Sequence, residues 1–339
     1  MRPYISFLVK NKTLNYPIFR NYLVMRLAII MALNMQITII SYLVYRITKD
    51  QLSLGIIGLA EVIPAIVFSL FSGHFVDQRE KKSTLLQVVI AYLALSAFFI
   101  MLATKSFQAM AGKDVTVWLI YTGVFVSGII RAFLSPATFA LLGLIIPKKH
   151  YANASIWSSS AWHLGAVVGP LLGGFIIALS GFSTSLIIVF LLILISFIAL
   201  LRIPKQAIHS NGKEPIMKSL GEGLRFVFST QAVLAALSLD MFAVLFGGAT
   251  ALLPVYADDI LKVGEIGFGW LRAAPAIGAI IMSAFLAFIP LKTKAGPKLL
   301  WSIAGFGITT IIFGISTNFW VAFLALLLGG AFDQISVII

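Results

Sequence analysis

Charged side chains inside long apolar stretches are the residues of this sequence best placed to do chemistry. They comprise three acids and three arginines: Glu61, Asp240, Asp333, Arg26, Arg131 and Arg272. A charge at the centre of a bilayer costs about 2.5–3.5 kcal/mol on insertion scales, so an unpaired one needs a use. A carboxyl group in such surroundings can gain and lose a proton near neutral pH. These residues predict a proton-carrying or cation-binding centre, with static ion pairs between helices as the alternative.

Two uncharged polar side chains, Asn34 and Gln36, lie near the middle of the first apolar stretch. Side chains of this kind either line a polar path or form hydrogen bonds between helices. Arg26 lies closer to the start of the same stretch, where a long side chain can extend to lipid headgroups. We expect Asn34 and Gln36 to border a polar path and Arg26 to reach the membrane surface.

The composition identifies the solvent in which these residues must work. Of the 339 residues, 60% are apolar and 11% are charged, and the mean hydropathy is +1.02. That leaves too little polar surface to cover a soluble protein. The net charge of +13 does not indicate nucleic acid binding, because the basic residues are spread between apolar runs. The sequence predicts a multi-pass membrane protein whose main partner is the lipid bilayer.

Several classes of chemistry find no support in the sequence. Cysteine is absent, and the histidines at 74, 150, 163 and 209 show no metal-ligand spacing. The sequence shows no nucleophile with its base, no closely spaced pair of catalytic acids and no phosphate-binding Gly-x-x-x-x-Gly-Lys-Ser/Thr loop. We expect no enzyme activity, no metal site, no cofactor and no ATP-driven reaction.

Ten apolar stretches are long enough to cross a bilayer, which takes about 20 residues. They lie near 20–46, 53–76, 83–104, 115–146, 152–180, 182–203, 231–256, 264–290, 295–315 and 318–339. The longest polar interruption separates six spans from four. We predict an N-terminal six-helix bundle over 1–203, a cytoplasmic linker with an amphipathic stretch over 204–230, and a second bundle over 231–339.

The basic residues predict the orientation of these spans, because cytoplasmic loops are enriched in lysine and arginine. With the N-terminus inside, 17 of the 25 basic residues lie in cytoplasmic segments, 5 lie outside and 3 lie within spans. The first 19 residues carry Arg2, Lys10 and Lys12 but no compact apolar core with a small-residue cleavage site, so we predict no signal peptide. The expected location is the inner (plasma) membrane, with the N-terminus in the cytoplasm.

A short internal repeat relates the two predicted bundles. Residues 58–66 and 269–277 share Gly, Pro, Ala and Ile at a constant offset of 211. Each copy opens a span that enters from the outer face, which predicts two parallel repeats. Glu61 and Arg272 occupy equivalent positions with opposite charge. We expect them to make separate gate contacts near the outer face.

A charged turn, residues 73–82, separates the second and third spans. It combines a glycine, an acid and a basic cluster: Gly73, Asp77, Arg79, Lys81 and Lys82. The glycine permits close packing, the acid can cap or pair, and the lysines are expected to stay in water. This pattern predicts a hinge at the cytoplasmic face.

These segments resemble the major facilitator superfamily of membrane transporters. The turn 73–82 is similar to the signature between helices two and three, with Asp77 in the acidic position, although Gln78 and Glu80 replace the usual Arg and Gly. The segment from Arg131 to Ala137 is similar to the branch that holds enterobactin exporters and macrolide efflux proteins. A glycine-rich segment of the fifth span resembles the signature associated with exporters that exchange substrate for protons: Gly165, Gly169, Pro170, Gly173 and Gly174.

The resemblance implies an all-α polytopic fold of two bundles, here six helices plus an incomplete second bundle of four. Members normally have twelve spans, and this chain ends in an apolar run after Asp333. We therefore expect a truncated product or fragment. In the family the acid that matches Asp77 works against the eleventh helix. From its small residues at helical spacing we also expect the fifth span to contact the eighth, where Gly278 would serve the same close packing.

The implied function is secondary active transport by alternating access, as proton-coupled efflux of small amphipathic molecules of drug or siderophore type by a monomer. Under this hypothesis the charged turn and the fifth-span glycines control the conformational change of alternating access. Arg131 influences the protonation of a neighbouring acid, and Glu61, Arg272, Asp240, Asp333, Asn34 and Gln36 couple protons or line the substrate path. The alternatives are an importer of a nutrient or lysophospholipid in the same superfamily, or a membrane remnant that does not transport.

Overall fold

The second and third helices begin at an acid whose side chain caps their free amide groups. The computed structural model of the chain describes residues 12–206, 248–288 and 295–338 and scattered positions between 221 and 241. At the start of the second helix, Asp50 accepts hydrogen bonds from the amides of Leu52 (3.1 Å) and Ser53 (3.2 Å). Glu80 caps the third helix in the same way, through the amide of Ser83 at 2.7 Å. These caps satisfy amide groups that have no partner within the helix.

The first part of the chain forms six helices. They are α1 (Pro17–Thr48), α2 (Gln51–Gln78), α3 (Lys81–Leu102), the short α4 (Lys105–Ala111), α5 (Lys113–Ile145) and α6 (Tyr151–Leu201). Three helices follow later: α7 (Gly264–Phe288), α8 (Ala295–Ile315) and α9 (Phe319–Ile338). Within the described residues, eight stretches are long and apolar enough to cross a membrane. The prediction of an all-α polytopic membrane fold is confirmed.

Helix α6 contains two predicted spans in one continuous run. Gly181 interrupts it with a φ of 80° and a ψ of 179°, which a residue with a side chain would adopt only under strain. Each half is long enough to cross a bilayer, which takes about 20 residues. The predicted break between 180 and 182 is therefore confirmed, and its cause is the backbone freedom of this glycine.

The predicted seventh span, 231–256, is described only in part, and Asp240 lies outside the described residues. Its described end consists of a 3₁₀ turn (Gly248–Leu252), a short helical turn (Leu253–Val255) and a π-helical turn (Tyr256–Ile260). These turns lead into α7, where Gly264 has a φ of 62°. The division of the chain at 204–230 stays a prediction.

Two groups of helices share one interface. Helix α1 packs along α6, and α2 packs on α5, while α7 packs on α9 and α6 also contacts α7. The core of the first group includes Phe19, Tyr22 and Tyr92, which are completely buried. The smaller second core holds Phe268 together with Tyr42 of α1, whose rings stack with centroids 5.0 Å apart. Tyr42 therefore joins the first group to the second.

The direction of the chain gives the bundle two distinct ends. We call the end that holds residues 77–82 the inner end, and the end that holds residues 42–49 and 256–265 the outer end, after the predicted orientation. Lys82 Nζ donates to the carbonyl of Leu201 (3.0 Å) at the inner end. Ser183 Oγ donates to the carbonyl of Ala103 (3.1 Å) at the outer end. These contacts confirm that the helices alternate in direction.

Candidate functional site

An ion pair between α2 and α5 forms the centre of the candidate site. Arg131 Nη1 donates to the carboxylate of Glu61, from a position 70 residues further along the chain. Gly128 lies one turn before Arg131, and a Cβ atom there would collide with the backbone oxygen of Glu61. The absence of a side chain at Gly128 lets the two helices approach closely enough for this pair to form. We therefore call Glu61 and Arg131 the central pair.

A small cavity borders the central pair inside the first group of helices. Its volume is about 20 Å³, and it is lined by residues of α1, α2, α3 and α5: Leu33, Gln36, Ile37, Ile40, Glu61, Tyr92, Phe99, Val124, Ser127 and Arg131. Gln36 is 4% exposed, and its Oε1 accepts no hydrogen bond from the described residues. Tyr92 donates to the carbonyl of Ser127 (3.3 Å). The cavity therefore combines an apolar wall with one ion pair and a buried acceptor.

The other polar candidates of α1 have partners of their own. Asn34 Nδ2 donates to the carbonyl of Ile30 (2.9 Å) within the helix, and Asn34 does not line the cavity. Arg26 is 6% exposed, and its Nε donates to the carbonyl of Ser158 (3.0 Å). Its guanidinium also lies over the ring of Phe139, 5.0 Å from the centroid. The expectation that Arg26 reaches the membrane surface is wrong, because α6 offers it a carbonyl inside the bundle.

The charged candidates of the second group lie on α7 and α9. Arg272 Nη1 donates to the carbonyl of Thr250 (3.3 Å), in a turn that contacts α2. Glu61 and Arg131 lie within electrostatic reach of the Arg272 guanidinium. Asp333 is half-buried on α9, and its carbonyl accepts from Ser336 Oγ (2.7 Å). The structure therefore brings Glu61, Arg131 and Arg272 to one region, with Asp333 on a separate helix.

The charged turn at the inner end ties three helices together through its lysines. Lys81 Nζ donates to the carbonyls of Val76 (2.6 Å) and Asp77 (2.9 Å) at the end of α2. Lys82 Nζ donates to the carbonyl of Leu201 at the end of α6. Both lysines are only 9% exposed, so the expectation that they stay in water is wrong. The cause is that a cation stabilises the free carbonyl groups at a helix C-terminus.

The remaining residues of this turn depart from the expected roles in two ways. The helix cap is Glu80, while the carboxylate of Asp77 is exposed and accepts no hydrogen bond from the described residues. No described atom lies within 4 Å of the position that a Cβ would occupy at Gly73, so this glycine makes no close contact there. Arg79 lies over the ring of Phe75, 4.0 Å from its centroid.

The glycines of the fifth span form two seams on α6. A Cβ atom at Gly165 would lie 2.8 Å from Ile30 Cγ2, and one at Gly169 would lie 2.6 Å from the carbonyl oxygen of Met31. Gly173 continues this line along α1 at ordinary contact distance, 3.5 Å from Met35 Cγ. The first seam therefore joins α6 to α1 inside the first group.

The second seam joins the two groups. A Cβ at Gly174 would collide with the carbonyl oxygen of Glu265, and one at Gly269 would lie 2.9 Å from the carbonyl oxygen of the buried Pro170. The expected contact of the fifth span with the eighth is confirmed. Gly278 also serves close packing, but its partner is the carbonyl oxygen of Leu327 on α9 and not the fifth span. Gly269 fills that place.

A cluster at the outer end, which the sequence analysis did not single out, connects the two groups. We call it the outer latch: Tyr42, Tyr45, Arg46 and Lys49 from α1, with Asp258, Asp259 and Glu265 from the second group. Asp258 accepts hydrogen bonds from Tyr42 and Lys49 and pairs with Arg46 Nε at 3.2 Å. Arg46 Nη2 also pairs with Glu265 (2.5 Å). The hydroxyl of Tyr45 donates to Asp259.

The sequence does contain a signal for the outer latch. Basic residues follow the first predicted span, and Asp258 and Asp259 follow the seventh, which is its counterpart in the second repeat. Opposite charges at equivalent ends of two repeats can face each other across the interface between the bundles. Asp258 is 10% exposed at its side chain, so its pairs are shielded from solvent more than ordinary surface pairs.

The fold and the site together define a class of protein. Two groups of membrane-spanning helices meet along glycine seams, with a central pair at mid-depth and a polar latch at one end. Among the described residues, no group of three or more His, Cys, Asp or Glu side chains could hold a metal ion. This arrangement is that of a polytopic membrane protein with a polar centre inside its first group of helices.

The chain belongs to the Major Facilitator Superfamily, whose sequence model matches residues 22–338. The chain is 27% identical over 237 residues to the uncharacterized MFS-type transporter YkuC of Bacillus subtilis. The alignment covers 61% of this chain and 51% of YkuC. Macrolide efflux protein A of Streptococcus pyogenes is 22% identical over 262 residues, and that alignment covers 74% of this chain and 62% of the efflux protein. The enterobactin exporter EntS of Shigella boydii is 26% identical over 218 residues, and that alignment covers 64% of this chain and 51% of the exporter.

A solved structure supports the same fold. It is a bacterial homologue of the human lysosomal transporter Spinster in an inward-facing and unoccupied conformation. Its TM-score is 0.66 at 16% identity, and the match covers 99% of this chain and 74% of that chain. The chain spans about half to two thirds of the length of the curated relatives that it matches.

Proposed function

We propose that the protein is a secondary active transporter that exports small amphipathic molecules by proton-coupled alternating access. The central pair is the observation that carries this proposal. Glu61 and Arg131 lie within membrane-spanning helices, where an ion pair is rare unless it has a use. Protonation of Glu61 would neutralise the carboxylate and release Arg131 from the pair. The pair is therefore a contact that one proton can make or break.

Alternating access needs two bundles that move against each other around a fixed centre. The outer latch holds the two groups together at one end, and it is made of polar contacts that can form and separate. The seam between Gly174 and Gly269 brings backbone against backbone, so no interlocking side chains oppose a small sliding movement there. We infer that the latch closes the outer end in this conformation.

The lining of the central cavity supports an amphipathic substrate. Apolar residues such as Leu33, Ile37 and Phe99 form most of the wall, and Gln36 and the central pair supply the polar part. Two named relatives are an enterobactin exporter and a macrolide efflux protein, which favours export. We place the protein in the plasma membrane as a monomer with its N-terminus in the cytoplasm, and Asp77 in a gate at the inner end.

Efflux from cells that express this chain tests the proposal. Cells are loaded with a panel of fluorescent dyes and antibiotics, and efflux is followed with and without a protonophore. We expect the protonophore to abolish efflux, and Glu61→Gln to reduce the protonophore-sensitive rate at least about tenfold, because its side chain cannot carry a proton. Asp77→Asn should also slow efflux, through the gate.

The matched control is Asp114→Asn, which removes an acid from the first turn of α5 at the outer end. It should leave the rate within about twofold of the unmodified protein, because an exposed charge near a helix end contributes little. No efflux across the panel from protein shown to be inserted in the membrane would contradict the proposal and favour a remnant that does not transport.

A further inference from the structure

The cavity beside the central pair has the size and the polar groups that hold one water molecule. Its volume is about 20 Å³. A water needs roughly 10–15 Å³ on this scale and two to four polar partners. The lining supplies the carboxylate of Glu61, the guanidinium of Arg131, the hydroxyl of Ser127 and the amide of Gln36. The site therefore meets both requirements.

Gln36 carries the strongest sign of such a ligand. Its Oε1 is buried and accepts no hydrogen bond from the described residues, although Gln36 borders a cavity with polar groups. Leaving a buried acceptor without a donor costs roughly 1–3 kcal/mol, so buried polar atoms almost always have a partner. A water in the cavity can donate one hydrogen to Gln36 Oε1 and the other to the carboxylate of Glu61. Such a water would connect Gln36 to Glu61 through hydrogen bonds without direct contact between the two side chains.

We propose that Gln36 is a positioning residue that holds a water against the carboxyl group of Glu61, and that this water carries protons to and from Glu61. The inference rests on the proposed role of Glu61 in proton coupling. When Glu61 releases its proton, its O–H bond breaks and a new O–H bond forms to the water. The water then passes a proton to the solvent that enters when alternating access opens the site.

The charged and titratable groups around Glu61 are compatible with this role. Arg131 faces it from α5 and stabilises the ionised carboxylate, while the guanidinium of Arg272 adds positive charge from α7. Tyr92 borders the cavity from α3, but its hydroxyl already donates to the carbonyl of Ser127. The water therefore gives Glu61 a partner that can accept its proton, which neither arginine can do.

Hydroxyl-radical footprinting of the purified protein in lipid nanodiscs tests the water directly. Radicals generated from bound water modify the side chains next to it. Tyr92 and Tyr22 are both completely buried, but only Tyr92 lines the cavity. Tyr22 instead bonds to Ser158 Oγ (3.2 Å) and serves as the internal control. We expect Tyr92 to be modified at least about fivefold faster than Tyr22, because an ordered water contacts only Tyr92.

Substitution of Gln36 then tests its role. Gln36→Met conserves the volume but removes the amide oxygen, and should reduce modification of Tyr92 to the level of Tyr22. Gln36→Asn keeps an amide acceptor and adds room, and should retain the modification. Thr38→Val is the matched control on α1, because Thr38 donates to the carbonyl of Asn34 (2.7 Å) and does not line the cavity. It should leave Tyr92 unchanged.

Two outcomes would overturn the inference: equal, slow modification of Tyr92 and Tyr22, or fast modification of Tyr92 that survives Gln36→Met. Efflux measured over a range of external pH completes the test, since Gln36→Met should alter the pH profile and Gln36→Asn should restore it. An unchanged profile would remove the proton-carrying role of the water. Footprinting requires no transport, so a protein that holds the water but shows no efflux would refute the proposed function instead.

Discussion

At the scale of single residues, the side chains that carry the charges of this protein are held by partners far away in the sequence. Arg131 meets Glu61, and Asp258 accepts from Tyr42, Arg46 and Lys49 of α1. Asp258 is the residue on which the outer latch converges, and it is the acceptor that three donors share. Removing its charge therefore weakens several contacts at once.

We predict that Asp258→Asn opens the outer end. The chain contains no cysteine, so a single Phe182→Cys, beside Tyr42 where the two groups meet, can report access. Asp258→Asn should raise its labelling by a membrane-impermeant maleimide, added from outside, about fivefold or more. A fivefold change in the ratio of open to closed molecules corresponds to a loss of about 1 kcal/mol in the stability of the closed state. Asp114→Asn in the same reporter should have no effect. Equal labelling in both variants would show that the latch does not control access.

At the scale of the elements, glycines decide which helices can approach. Gly165 and Gly169 bring α6 onto α1, Gly174 brings it onto α7, and Gly128 lets α5 reach α2. The spacing of the glycines on α6 indicated close packing before the structure was known. The sequence could not show that neighbouring glycines serve different partners, because that depends on how the helix is rotated in the bundle.

We predict that the seam between α6 and α1 is intolerant of a single methyl group. A Cβ at Gly169 would press on the backbone oxygen of Met31, which cannot move away alone. Gly169→Ala should therefore destabilise the protein by about 1–3 kcal/mol, seen as a lower midpoint of thermal unfolding in detergent. Gly55→Ala is the matched control, since no described atom lies within 4 Å of its Cβ position. Alanine there should be neutral or stabilise α2 by up to about 1 kcal/mol.

A similar loss of stability in both variants would mean that the methyl group acts through the helix itself rather than through the contact. Efflux of Gly169→Ala at a temperature where the protein stays folded would then separate packing from movement. We expect transport to fall there as well, because a shifted α6 also changes the second seam at Gly174.

At the scale of the whole molecule, the two groups of helices touch along the α6–α7 seam and at the outer latch. The turns Gly248–Leu252 and Leu253–Val255 add contacts with α2 and α1. Closure of one end should therefore accompany opening of the other. Paired spin labels can measure this in the protein without interference, because no native cysteine reacts. Gln51→Cys with Ile260→Cys reports the outer end, and Gln78→Cys with Val337→Cys reports the inner end.

We predict that these two distances change in opposite directions. Introducing Asp258→Asn into each labelled pair should shift the outer distribution to longer distances and the inner distribution to shorter ones, as expected for two bundles that rock about a common centre. Pulsed electron paramagnetic resonance in nanodiscs measures both. Distances that lengthen together at the two ends would indicate separation of the bundles, and unchanged distances would indicate a rigid body.

The sequence by itself determined that the chain lies in a lipid bilayer, that its fold is all-α, and where most of the helices lie. Length and hydropathy predict spanning helices because a backbone in lipid must satisfy its own hydrogen bonds, and glycine marks the break at 181 because its φ is positive. The tertiary structure alone decided which partner each charged side chain has. Glu61 with Arg131, and Asp258 with α1, depend on helix rotation and depth across 70 or more residues of chain. Local spacing contains no record of either quantity, so only packing could bring these groups together.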